Sequence, residues 1–275
     1  MPAPQADFLK MMARTKFMGF ALKVPSNWQQ PSGDPAAKHY GMAFKDSEKS
    51  VPPGAPPLFL PATPNKYHVD AQKMHIGKIG TFMDGINAAI AGAWGQWQSL
   101  ASMVGFIVTG PVVSVGQIVG PPMGPLILAN GAPMGSPMEM KWTNAIANAI
   151  NVGWLAFTAT VKSAGLPFYP AYAAVPTPVA PPMPNIPVPF AMLTQVPTPI
   201  STDALKGLMI ANLADPMAPF HKELFESVSF AFEQAYNIWK ISTMVTNVLA
   251  IATGGTPITP IPAVGTATMP PGGFT

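Results

Sequence analysis

Acid, base or metal chemistry in this chain would have to come from four histidines, one arginine, fourteen lysines and twelve carboxylates. His39, His68, His75 and His221 form neither an H-x-x-x-H nor an H-E-x-x-H spacing, the arrangement that sets two imidazoles on one helical face around a metal. His68, Asp70 and His75 come nearest to a ligand set, and a solvated loop accounts for them. There is no cysteine, so disulfides and thiolate ligands are excluded. A phosphate cradle needs glycines, then a lysine, then a helix start; the run from Gly116 to Gly120 leads into Pro121 and Pro122 instead. Gly135, Ser136 and Pro137 fail the Gly-x-Ser-x-Gly nucleophile pattern. Glu223 and Glu226 lie one turn apart on an expected helix and face solvent, whereas hydrolytic carboxylates face each other across a cleft. Lys10, Arg14, Lys16 and Lys23, with Phe17, Phe20 and Trp28, could contact phosphate and stack on bases. A single arginine argues against that use, since guanidinium is the preferred phosphate and base reader. The expectation is a chain that is not an enzyme, with no cofactor, no small-molecule substrate and no nucleic-acid partner.

The elements that would position these residues are marked out by charge. Residues 1–84 hold 16 of the 27 charged side chains; residues 85–138 and 241–275 hold none. A free monomer spreads mixed charge over its surface, because wide bare apolar patches are sticky. Long uncharged stretches therefore point to burial against copies of the chain, against other subunits, or against lipid.

Sliding the chain by 60 residues lays Ile86, Ala89, Ile90 and Trp94 on Ile146, Ala149, Ile150 and Trp154. Trp97 meets Phe157, Gly105 meets Gly165, and Val115 and Val119 meet Val175 and Val179. The run closes with Pro121, Pro122 and Met123 on Pro181, Pro182 and Met183. A weaker third copy places Val228, Ala231, Phe232, Tyr236 and Trp239 at the same spacing. Steps of three and four residues put Ile86, Ile90, Trp94 and Trp97 on one helical face, and likewise Ile146, Ile150, Trp154 and Phe157. The first helix is expected from about Ile79 to a break by Gly110-Pro111. The second starts after Lys141 with Thr143 or Asn144 as cap and ends at Gly165-Leu166-Pro167. The third starts after Pro219, and a short helix covers Thr202–Leu213. These stripes, with Phe232, Tyr236 and Trp239, are the candidate helix-packing or interface residues.

Proline accounts for 35 of 275 residues and clusters between the helices. It cannot donate to a sheet ladder, so these segments are expected to be extended arms or edge strands rather than central strands. The residues between the prolines are apolar, unlike those of a flexible linker, so the arms are expected to lie along another surface. Val115, Val119, Pro121, Pro122, Met123, Val175, Val179, Pro181, Pro182 and Met183 are the candidate docking residues. The expected fold is mainly α with extended Pro-rich arms, in two to three repeats of helix plus arm. Residues 1–78 form a charged, largely irregular segment with one short amphipathic helix; the repeats cover 79–138, 139–200 and a divergent 201–275.

In its lack of cysteine, its charge-poor repeats and its Gly120–Pro125 and Pro181–Pro184 strings, the chain resembles structural proteins of bacteriophage tails and related contractile injection machines. The resemblance implies a multicopy virion or particle component (tail, baseplate or neck) made in the bacterial cytoplasm, bound to copies of itself and to other structural subunits. No signal peptide is read at the N-terminus. The alternative is a membrane-active protein inserting a helical hairpin from residues 86–165. It is disfavoured because that stretch carries too many Asn, Gln, Ser and Gly residues for a span.

Overall fold

The computed structural model describes residues 3–22, 69–109, 112–167, 183–215, 218, 220–253 and 264–275. Among them the helices are α1 (Ala6–Gly19), α2 (Val69–Leu100), α3 (Met123–Ala129), α4 (Pro137–Thr160), α5 (Thr202–Leu213) and α6 (His221–Ser242). The strands are β1 (Ser102–Thr109), β2 (Val112–Val119), β3 (Ser163–Pro167), β4 (Met183–Pro184), β5 (Val188–Pro189), β6 (Met244–Val245), β7 (Leu249–Thr253) and β8 (Val264–Met269).

The expectation of a mainly α chain with free arms is therefore corrected: the fold is mixed α/β. The order in the main sheet is β3-β2-β1-β8-β7-β4, all antiparallel, and β5 pairs β6. The segments read as arms pair within the chain, so β2, once expected as arm, has a neighbour on both sides. Residues 102–109, expected as helix, form β1. Its Val, Ile and Phe residues alternate in and out, and such side chains lose less freedom on a pleated surface than in a helix. Helix α4 begins earlier than expected. Ser136 caps it by accepting the Glu139 N–H at 3.2 Å, and Pro137 occupies the first turn, where its missing donor costs nothing. Helix α5 spans the expected residues, with Ser201 as its cap.

The sheet also closes on itself. Lys162 and Thr194 exchange N–H···O bonds of 2.9 and 2.8 Å, and the Ile186 N–H donates to Pro167 O at 2.9 Å. These join β3 and the residue before it to the stretch from Ile186 to Thr194 that contains β5. Between β4 and β5 Asn185 bonds Val248 through both backbone and side chain (3.1 and 2.9 Å), carrying the β4·β7 pairing on into β5·β6. These contacts bring the two ends of the six-stranded order together into a ring.

The ring has an internal threefold pseudosymmetry. Helices α2, α4 and α6 end at Leu100, Thr160 and Ser242, positions related by the offsets of the sequence repeat. Five residues beyond each end the backbone turns left-handed: Gly105 (φ 74°), Gly165 (φ 151°) and Asn247 (φ 58°). Strand registers repeat too. Met103, Phe106 and Ile107 of β1 face Met269, Ala267 and Thr266 of β8; their counterparts Ser163, Leu166 and Pro167 of β3 face Val115, Val113 and Val112 of β2. A bulge falls at the left-handed glycine in both ladders. The helices follow suit: α1 packs on α2 and α6, α3 on α4 and α2, α5 on α6 and α4. Each unit is thus a short helix and a long helix followed by strands, with unit boundaries before α3 and before α5; β1–β2 and β7–β8 pair within their units, whereas β3 and β4 of the second unit pair with β2 and β7 of its neighbours.

Candidate interaction surface

Each long helix delivers two aromatic residues to the axis, and these make the same contact three times. Trp94 meets Trp239 at 5.6 Å between ring centroids, Trp154 meets Trp97 at 4.8 Å, and Tyr236 meets Phe157 at 5.1 Å. In every case the first aromatic of one unit touches the second aromatic of another, so the contacts run round the circle. Phe232 fills the centre against Trp94 and Trp154 (4.8 and 5.8 Å). Ile86, Ile90, Ile146 and Ile150 are fully buried beside them. All the stripe residues singled out from the sequence lie in this one intramolecular core, where each contributes on the order of 2–3 kcal/mol of apolar burial. Their polar tips are only partly served. Trp239 donates to Gln98 Oε1 at 2.8 Å, Gln98 donates to Phe274 O at 3.0 Å, and Tyr236 donates to Gln195 Oε1. Burial pushes the Tyr236 phenol above its ordinary pKa. The pattern has no reacting geometry and serves packing.

Most of the charged residues among those described sit on the helices, with Lys162 beside β3 an exception. Arg14 of α1 makes a bidentate pair with Asp84 of α2 (2.8 and 2.7 Å), which raises the guanidinium pKa through the hydrogen bonds to Asp84. At the position equivalent to Asp84 the third unit has Glu226, and Lys206 of α5 takes the part of Arg14 at 2.5 Å. The second unit has an exposed Asn144 there. Glu226 also accepts from Lys16 of α1 at 2.8 Å, joining the third unit to the first. Hydrogen bonds from Lys16 and Lys206 hold the Glu226 carboxyl below its usual range. These ion pairs tie neighbouring helices of the ring together.

The outer wall of the strand ring is different. None of the eight strands contains Asp, Glu, Lys or Arg. Their inner residues, including Met103, Phe106, Val108, Val113 and Leu166, are buried against the aromatic core. Their outer residues expose Val104, Ile107, Val112, Val115 and Val119, each 41–49 % accessible. Val115 takes φ 66°, a left-handed conformation that is costly for a β-branched residue, and adjoins Gly116 at φ 79°. Two shallow grooves recur at unit junctions. One is lined by Trp97, Gly120, Pro121, Met123 and Trp154, the other by Gln98, Gly272 and Phe274; neither has an ionisable lining residue.

Of the residues expected to dock on neighbours, Val115 and Val119 lie on this outer wall, and Pro121 and Pro122 lead into α3. Met123 is buried as the first residue of α3. Met183 belongs to β4, and Val175, Val179, Pro181 and Pro182 lie outside the described residues, as do His39 and His68. His221 is buried at the start of α6, its Nδ1 2.5 Å from Ala218 O. No group of three His, Asp or Glu able to hold a metal occurs among the described residues, and no helix there is long and apolar enough to cross a membrane. Residues 86–165 form no helical hairpin, since two strands and α3 separate α2 from α4. What sequence reasoning missed was the strand wall itself. Its signal was the in-out alternation of Val and Ile around Gly105 and Gly116. No family model, curated protein or solved structure matches the chain.

Proposed function

We propose that this chain is a non-enzymatic structural component of a multisubunit particle, of the bacteriophage-tail or contractile-injection kind, made in the bacterial cytoplasm and held by the outer wall of its strand ring. The observation that carries this reading is the division of the surface. Among the described residues the ion pairs lie on or beside the helices, whereas the paired strands carry no charge apart from Lys162 beside β3, and the β1–β2 hairpin exposes five valine and isoleucine side chains. The mechanism first expected, arms crossing to neighbours, is replaced by a preformed rigid wall, which loses less conformational entropy on docking than a free segment would. The test is to sediment native particles from source cells and quantify the chain by mass spectrometry in each fraction. Co-sedimentation with a large particle is expected. Recovery solely as a free, unassociated polypeptide would reject the proposal.

A further inference from the structure

Resting on that assembly reading, we infer that a single copy of this chain sits on the threefold axis of a homotrimeric partner, its strand wall seated against the three subunits. The pseudosymmetry sets the stoichiometry. The bulged register occurs in two units, and the third pairs its corresponding residues without a bulge (Val245 with Val188, Leu249 with Pro184), each unit having a positive φ at Gly105, Gly165 or Asn247, so three identical subunits each meet a similar outline. Closed rotational symmetry is the ordinary form of such a partner. The outer positions agree in character as well as place: Val104, Ala164 and Thr246 form one equivalent set, and Val112, Pro184 and Thr266 another. All six are at least partly exposed and none is charged. A partner of lower symmetry would engage one third of this wall and leave the rest bare. A second copy of the chain is a poorer occupant, because the axis of one copy is already filled by its own aromatic core.

The experiment uses the full chain, affinity-tagged and expressed in its source cells, recovered with the particle fraction and released for native mass spectrometry. One copy bound to three copies of one other polypeptide is the expected mass. Ile107→Lys and Val112→Lys, placed on exposed positions and checked for an unchanged thermal melt, each lower recovery of that complex at least tenfold. Ile241→Lys, on the exposed face of α6, leaves it unchanged. Several copies of the chain per complex or a one-to-one complex would each overturn the symmetry match while leaving the assembly reading intact, and lysine variants that bind like the parent would overturn seating on the strand wall in both readings. A chain found in no complex at all would overturn both.

Discussion

The helical ring and the strand ring share one axis and one threefold plan, yet they are held together differently and face the surroundings differently. Around the helices, closure depends on side chains: six aromatics interlock at the axis, and Arg14, Asp84, Lys206, Glu226 and Lys16 tie neighbouring helices from outside. Around the strands, closure depends on backbone. Hydrogen bonds run from strand to strand, and the outer faces of β1 and β2 expose valine and isoleucine. The lesson is that internal symmetry can be kept by the fold while the displayed side chains differ, with ion pairs along the helices and exposed valine and isoleucine on β1 and β2.

The contrast is tested most severely at the axis. Trp154→Ala removes a residue 2 % exposed that touches both other units, and chemical denaturation should show a loss of about 3–5 kcal/mol. Next come two glycines at the same level of one hairpin. A Cβ at Gly116 would lie 2.3 Å from the Phe106 ring, with φ already left-handed, so Gly116→Ala should cost about 2–4 kcal/mol; Gly105→Ala meets open space and should cost about 1 kcal/mol, both read from urea midpoints. Glu226 sharpens the electrostatic side of the comparison. Its folded pKa is depressed, so its contribution is full above the ordinary carboxylate range and is lost as pH falls through the folded value. Glu226→Gln should lower stability near neutral pH by about 1 kcal/mol and flatten the acid limb of a melting-temperature profile. The smallest effect belongs to the outer wall. Ile107→Lys, at 49 % exposure, should change stability by less than about 0.5 kcal/mol in the same assay; a larger loss would mean that the wall belongs to the core.

The helical half was largely legible in the sequence because its information is local. A stripe at steps of three and four, repeated after 60 residues, places Trp94, Trp97, Trp154 and Phe157 on faces that must be covered, and α6 repeats the spacing. The strand half was not, for three physical reasons. No glycine or proline separates Leu100 from Ser102, so α2 and β1 read as one apolar run, and only β-branching distinguishes them. Proline was weighed as excluding central strands, yet Pro167 and Pro184 sit at strand ends, where a carbonyl is used and no donor is needed. Finally, ring closure by Lys162 with Thr194 and by β8 with β1 depends on partners far apart in the chain, which no local period announces. The cap at Ser136 was available as a Ser-x-x-Glu signal with Glu139, and was passed over for Thr143 and Asn144.

Phe274 stacks on Trp97 at 6.0 Å and 14°, and β8 completes the ring against β1. During synthesis, the tryptophans of the first two units must therefore wait, exposed, until the third has emerged. Contacts of such long sequence separation slow folding, and ribosome stalling or premature truncation would release a greasy, open arc instead of a sealed one. A cell making this polypeptide has reason to keep holdase chaperones close to the nascent chain.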